Sequence, residues 1–184
     1  MLLTRALCMV ALAGGCVWPG GDDAPSECDL TGDVEAEIVF ADQAGVVARV
    51  ADQPNVPLIS APQGGHILLI GARVHAKLAS CSVEVNAALR DPATSRVIGL
   101  EQRPVTIASY GGDWAGPPPT IGLSDLANLA VCPSAAITTS LDAHPYQVEV
   151  RVVAAGLAIA HTTATIMPTC GDTYCHMDCS PGGN

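Results

Sequence analysis

Apolar and polar residues alternate most regularly between residues 63 and 89 of this chain. From Leu68 to Leu78 apolar side chains fall on every second residue, and from Gly71 onward the residues between them are polar or small. Because side chains of a β-strand point alternately to its two faces, this period of two predicts a strand with one buried face. The spacing of three and four residues that a helix needs is not seen in this stretch.

The alternation changes phase after Leu78. Residues 83–89 continue it on odd numbers, whereas the preceding apolar residues have even numbers. A shift of one residue would move every apolar side chain to the opposite face, so a bulge or turn must lie between Ala79 and Ser82. We therefore predict two strands, the central ones of a β-sandwich, with Cys81 close to the break.

Shorter stretches of alternation predict further strands. These are residues 34–40, 46–50, 97–100, 105–108, 146–152 and 157–166. Residues 97–108 form either one strand interrupted at Pro104 or two short strands. Three prolines between residues 54 and 62 predict a crossing between sheets or an edge strand. Residues 110–120 are the longest irregular stretch, and a single helical turn capped by Ser124 follows at 124–129.

The last two strands also carry a resemblance. Residues 145–168 resemble the closing hairpin of immunoglobulin-like modules, including the PKD and bacterial Ig-like groups, whose penultimate strand carries a core tyrosine where this chain has Tyr146. The buried tryptophan and inter-sheet disulfide spacing of antibody domains are missing. The resemblance implies an all-β fold, a single immunoglobulin-like antiparallel β-sandwich over residues 28–169, with a disulfide-stapled C-terminal tail at 170–184.

The first sixteen residues have the pattern of an export signal. Arg5 precedes an apolar run at 6–13, and small residues lead from it to Cys16. An apolar segment of about 7–15 residues in this context is typical of a secretory signal peptide, and a membrane span needs roughly 20. Residues 12–16 (Leu-Ala-Gly-Gly-Cys) resemble the lipobox of bacterial lipoproteins, with Ala13 in place of the usual leucine. The alternative is an ordinary signal peptide that is cut nearby.

The lipobox resemblance implies a lipoprotein signal peptide at residues 1–15 and a covalent lipid on Cys16. Each buried methylene contributes ~0.8 kcal/mol, so two or three acyl chains anchor a protein stably. Val17 stands where aspartate favours inner-membrane retention, which implies the outer membrane rather than the inner one. Residues 16–27 are then the lipidated cysteine and a flexible tether, rich in glycine and proline. The layout also resembles uncharacterised exported lipoproteins of high-GC bacteria.

Composition narrows the function classes. The 184 residues have a formal net charge of −10, and Lys77 is the single lysine. This balance argues against binding to nucleic acid and against electrostatic docking on anionic lipid. The sequence lacks the motifs of serine hydrolases, zinc proteases, P-loops, dinucleotide-binding folds and EF-hands, which predicts no enzymatic activity and no cofactor beyond the lipid. Only a Ser–His–Asp set assembled by the fold would leave no such motif.

Six cysteines remain after Cys8 and Cys16 are assigned to the signal peptide and the lipid. They are Cys28, Cys81, Cys132, Cys170, Cys175 and Cys179. An even number in an exported chain predicts up to three disulfides, with fifteen possible pairings. Three of the six lie in the body and three in the tail, so complete oxidation requires at least one bond that joins the two.

The tail also has a second interpretation. Cys170, Cys175, His176 and Cys179 are four nitrogen and sulfur ligands of the kind that binds zinc, and the neighbouring Met177 would suit reduced copper. Their spacing is not a common zinc-finger pattern, and disulfides are the simpler interpretation in an oxidising compartment. The alternative function is therefore a metal-binding or metal-handling envelope lipoprotein.

Two of the six aromatic residues share the irregular stretch. They are Tyr110 and Trp114, with Asp113 between them. Loops on a rigid scaffold often carry recognition, whereas a loop aromatic can instead cover a sheet end. A calcium ion at a sandwich end would use Asp113 or Asp125. The sequence thus predicts a lipid-anchored, non-enzymatic envelope module for binding or structure, whose partner is an envelope protein or a glycan.

Overall fold

The computed structural model describes residue 30 and residues 33–182, which contain eleven β-strands and one short helix. The predicted signal peptide, Cys16, the tether and Cys28 lie outside the described residues. No helix within the described part is long and apolar enough to cross a membrane. The elements are β1 Ala36–Ala41, β2 Val47–Arg49, β3 Asn55–Pro57, β4 Ile59–Ser60, β5 His66–His75, β6 Cys81–Arg90, β7 Val97–Ser109, β8 Trp114–Gly116, β9 Ala127–Cys132, β10 Tyr146–Ala154, β11 Leu157–Thr169 and α1 Thr173–Asp178.

The strands form one open sheet, which confirms the predicted all-β character. The main path runs β2-β1-β5-β8-β7-β6-β10-β11-β3, and β4 and β9 also pair with β5. The sheet is mixed rather than purely antiparallel, because β3 runs parallel to β11. The terminal position of β3 confirms the edge strand that its prolines predict.

The two central strands are present where the alternation predicts them, as β5 and β6, with a break at residues 76–80. They do not pair with each other, since β5 pairs with β1, β4, β8 and β9 while β6 pairs with β7 and β10. Leu68 and Ile70 of β5 meet Val85 and Leu89 of β6 in one core cluster. The phase shift thus marks the point where the chain passes from one half of the sheet to the other.

The structure of residues 97–132 decides between one strand and two at residues 97–108, and it corrects the predictions for residues 110–120 and 124–129. β7 is a single continuous strand that passes through Pro104. The stretch predicted to be irregular contains β8, so Trp114 is a strand residue rather than a loop residue. The helical turn predicted at 124–129 is wrong, because β9 begins at Ala127. In β9 alternate residues are buried, and its backbone pairs with β5, which outweighs the weak local preference for a helical turn.

The closing hairpin of β10 and β11 is present as predicted. Ala155 and Gly156 in its turn have φ of 48° and 78°, the left-handed conformation that a tight hairpin turn requires. Tyr146 is 2% exposed, and its hydroxyl donates to the carbonyl of Thr139 at 2.7 Å. This tyrosine is therefore a core residue of β10.

Two disulfides hold the C-terminal tail. Cys132 at the end of β9 is bonded to Cys179 after α1, and Cys170 is bonded to Cys175. Cys81 is disulfide-bonded as well. The bond between β9 and the tail is the connection that the count of body and tail cysteines predicts. It fixes α1 against the sheet.

Candidate functional site

A groove of about 200 Å³ opens beside the indole of Trp114, and we refer to it as the Trp114 groove. β1, β2, β5 and the segment that connects β7 to residue 119 form its walls. The lining residues are Val39, Val47, Ala48, Arg49, Arg73, Ala108, Tyr110, Gly111, Trp114, Gly116, Pro117 and Pro119.

The close approach of β8 to β5 positions the indole. Trp114 lies opposite His75 in the ladder, and the two ring centroids are 5.1 Å apart. Gly116 permits this approach, because a Cβ at that position would lie 2.9 Å from the Cβ of Arg73. The ring is therefore held by backbone pairing on one side and by side-chain contact on the other.

Two arginines supply fixed N–H donors to the groove. Arg73 donates to Glu37 at 2.6 Å, and its Cζ lies 4.6 Å from the centroid of the Trp114 ring. Arg49 lies 3.6 Å from the same carboxylate, and its hydrogen bond to Asp52 raises the pKa of the guanidinium above its ordinary value. Because the two carboxylates balance the two arginines, the arrangement favours an uncharged polar ligand with a flat apolar face.

The fold brings together two of the three predicted binding residues. Tyr110 is 57% exposed and lines the groove with Trp114. Asp113 is exposed in the turn between β7 and β8 and does not line the groove. Asp125 accepts a hydrogen bond from the backbone of Gly122 at 2.8 Å, which gives this carboxylate a structural role in its turn.

A second cleft, of about 560 Å³, lies over β5, β7 and β9, and we refer to it as the His66 cleft. It shares no lining residue with the Trp114 groove. Its lining residues are Ala61, Pro62, Gln63, Gly64, His66, Ile67, Glu101, Arg103, Leu123, Ser124, Asn128, Ala130 and Cys132. Among the described residues, the buried side-chain atoms without a hydrogen-bond partner are Nδ1 of His66 and Oδ1 of Asn128, and both residues line this cleft.

His66 contacts a polar residue through each ring nitrogen. Ser60 lies opposite it in the β4–β5 ladder, with Oγ 3.4 Å from Nε2. On the other side, Nδ1 lies 3.5 Å from Oδ2 of Asp178 in α1. Cys132 is the partner of His66 in the β5–β9 ladder, and its disulfide to Cys179 brings Asp178 to this position.

The candidate metal ligands of the tail fall into two adjoining groups, which the Cys170–Cys175 disulfide connects. The sulfurs of Cys175 and Cys179 are buried beside His66, whereas Cys170 and His176 lie together nearer the surface. All three cysteines are disulfide-bonded. In this oxidised state their sulfurs are not available as thiolate ligands, the form in which cysteine binds zinc.

Sequence reasoning identified the aromatic residues of the Trp114 groove but missed the polar groups in both cavities. Arg73 and Glu37 are cross-strand partners, and their place on the polar face of two predicted strands was the available signal. Ser60 and His66 flank the glycine turn at 64–65, which predicts a hairpin but no chemistry. No protein-family model matches the chain, and no curated protein matches it.

Proposed function

We propose that the chain is a lipid-anchored cell-envelope protein whose β-domain binds an uncharged polar ligand, a glycan, in the Trp114 groove. The observation that carries the binding role is the combination of Tyr110, Trp114 and salt-bridged Arg73 in one groove. Aromatic faces and fixed polar groups are the two features that a sugar ring requires, since it has apolar C–H faces and a rim of hydroxyls.

We further propose that the sheet is an immunoglobulin-like sandwich. The hydroxyl of Tyr146 bonds to a carbonyl seven residues upstream, which resembles the tyrosine corner of that fold. The core cluster shared by β5, β6 and β10 also supports two facing layers, because residues from both halves of the open sheet pack in it. The single parallel pair at the β3 edge is an addition to that arrangement.

The anchor is proposed from the lipobox resemblance at residues 12–16. Acyl chains on Cys16 would place the β-domain at the membrane surface, at the end of the tether. Metabolic labelling of the full-length chain with radioactive palmitate tests this. The lipid proposal expects label in the wild type and none in Cys16→Ser; it fails when both forms are unlabelled or when the wild type is found free in the culture medium.

In the groove, a sugar would stack one face on the exposed part of Tyr110 and Trp114. Its hydroxyls would accept hydrogen bonds from Arg49 and donate to Glu37, which already holds Arg73 in place. The ion pairs keep these groups ordered before the ligand arrives, which lowers the entropy cost of binding.

Isothermal titration of the full mature chain with a set of soluble, uncharged oligosaccharides, including oligomers of N-acetylglucosamine, tests the binding role. We expect Trp114→Ala and Tyr110→Ala to weaken binding at least tenfold, or ~1.4 kcal/mol. Leu157→Ala is the matched control, because Leu157 is 69% exposed at the start of β11 and does not line the groove. Equal affinity of all four proteins, or no heat with any of these glycans, would count against the proposal.

A further inference from the structure

His66, which lines the His66 cleft, stands with two neighbouring residues in the atom order of an acyl-transfer triad. Oγ of Ser60 lies 3.4 Å from Nε2 of His66, whose Nδ1 lies 3.5 Å from Oδ2 of Asp178. We propose that Ser60, His66 and Asp178 form a nucleophilic site that hydrolyses carboxylic esters. This goes beyond the binding role of the Trp114 groove, and it replaces the expectation of a chain without enzymatic activity.

The burial of His66 fixes the ring that connects the other two side chains. His66 is 4% exposed, and β4, β9 and α1 surround it. The hydrogen bond between Ser60 and Nε2 is long, and Nδ1 has no hydrogen-bond partner. Catalytic hydrogen bonds are commonly long in unliganded sites and tighten when substrate binds. An unpartnered buried nitrogen that faces a carboxylate favours such tightening.

The Cys132–Cys179 disulfide positions Asp178, the third residue of the proposed triad. Cys132 lies beside His66 in the ladder, and Cys179 follows Asp178 directly in the chain. The bond between these cysteines therefore holds the carboxylate next to the imidazole. Ser60, by contrast, is exposed, so an ester can reach its hydroxyl.

The chemistry requires no group beyond these residues, the ester and water. Oγ of Ser60 attacks the acyl carbon while its proton passes to Nε2 of His66, and the Asp178 carboxylate stabilises the imidazolium. The bond from the acyl carbon to the alcohol oxygen then breaks, and the alcohol takes the proton from Nε2. Water repeats the sequence on the acyl-enzyme, which releases the carboxylic acid and regenerates Ser60.

The walls of the His66 cleft indicate the class of ester. His66 and Ala61, the residue after Ser60, both form part of the cleft. Oδ1 of Asn128 is buried there without a partner and would accept a hydrogen bond from a hydroxyl or N–H group of the substrate. Arg103, held by Glu101 at 3.0 Å, adds polar character. These groups suit an O-acyl ester of a polar, hydroxyl-bearing alcohol.

Labelling of the full-length protein with a fluorophosphonate probe tests the nucleophile, and peptide mass spectrometry locates the adduct. Hydrolysis of p-nitrophenyl acetate provides the rate. We expect the adduct on Ser60 and loss of both labelling and hydrolysis in Ser60→Ala, an exposed substitution that leaves the core intact. Ser80→Ala, at an exposed serine between β5 and β6 that does not line this cleft, is the matched control and should retain both. No adduct, an adduct only elsewhere, or wild-type hydrolysis by Ser60→Ala would overturn the proposal.

Asp178→Asn tests the positioning residue. We expect kcat to fall at least tenfold with KM little changed, because asparagine cannot stabilise the imidazolium. A wild-type kcat in Asp178→Asn would contradict the triad. Glycan binding in the Trp114 groove shares no residue with this test, so the two proposals fail independently.

Discussion

β10 and β5 are both interior strands of the sheet, but they differ in the number of faces that they bury. In β10 the burial alternates: Val148 and Val150 are buried, while Gln147 and Arg151 are exposed. In β5, residues 66–72 are buried without interruption. One face of β5 packs in the main core and the other in a second cluster that includes Leu69.

Both candidate sites lie where other segments pack on the second face of β5. Leu126 fills the second cluster and packs against Gly71, where a Cβ would lie 2.3 Å from its Cδ2. The Trp114 groove lies at the C-terminal end of β5, beside β8, and the His66 cleft lies at its N-terminal end, over β7 and β9. A strand that is covered on both faces contacts segments from distant parts of the chain. Where those segments meet, they form cavities lined by both polar and apolar residues.

The largest expected loss of stability comes from removing the disulfide that joins the tail to the part of the sheet around β5. In the chain-entropy model the Cys132–Cys179 disulfide, with a separation of 47 residues, stabilises by ~4 kcal/mol. The Cys170–Cys175 bond spans 5 residues and contributes ~2 kcal/mol in the same model. Urea unfolding of the two double Cys→Ser variants measures both losses. Equal losses, or a larger one for the short loop, would show that chain entropy does not decide the difference.

Single substitutions with smaller effects on stability distinguish β5 from β10 directly. Leu68→Ala and Leu69→Ala should each destabilise by ~3 kcal/mol, because these adjacent residues are 0% and 2% exposed in different clusters. In β10 the adjacent pair should behave unequally. Val148→Ala should be costly, while Gln147→Ala should change the free energy of unfolding by less than ~0.5 kcal/mol. A mild effect of Leu69→Ala would mean that the second face of β5 is not a true core.

The same contrast explains what could be predicted from the sequence. β5, β6, β10 and β11 were predicted because the alternation is local and each strand is long. β9 was missed because its alternation spans only six residues and follows soon after Ser124, which favours a helix cap, and because its partner strand β5 lies some sixty residues away. Burial of both faces of β5 also depends on those distant partners, which periodicity does not record.

The candidate sites differ in the same way. Trp114 was recognised because aromatic residues are rare in this chain, although its strand was not. Ser60, His66 and Asp178 come together only through the register of β4 on β5 and through one disulfide among fifteen possible pairings. Neither the register nor the disulfide pairing can be predicted from local sequence. A Ser–His–Asp set was therefore predicted only as a general possibility, without named residues.

The smallest effect concerns the polar outer face of β10. Glu149 accepts a hydrogen bond from Arg90, and this bond, with a second one from His161, lowers the pKa of its carboxyl group. A lowered pKa stabilises the folded state above the ordinary glutamate value of about 4.3, and this contribution is lost as the pH falls through the folded value. Glu149 is partly exposed, so Glu149→Gln should cost less than ~1 kcal/mol at pH 7.

Urea unfolding of wild type and Glu149→Gln from pH 7 downward measures the contribution. The difference between the two should shrink below about pH 4.3, because protonation removes the charge that the substitution also removes. Acid sensitivity should remain in the variant, since Asp91 also has a lowered pKa, through hydrogen bonds from Ala93 and Thr138. A difference that stays constant with pH would assign the effect to packing rather than charge. The outer face of β10 would then contribute to stability through packing, as the second face of β5 does, although its residues are less buried.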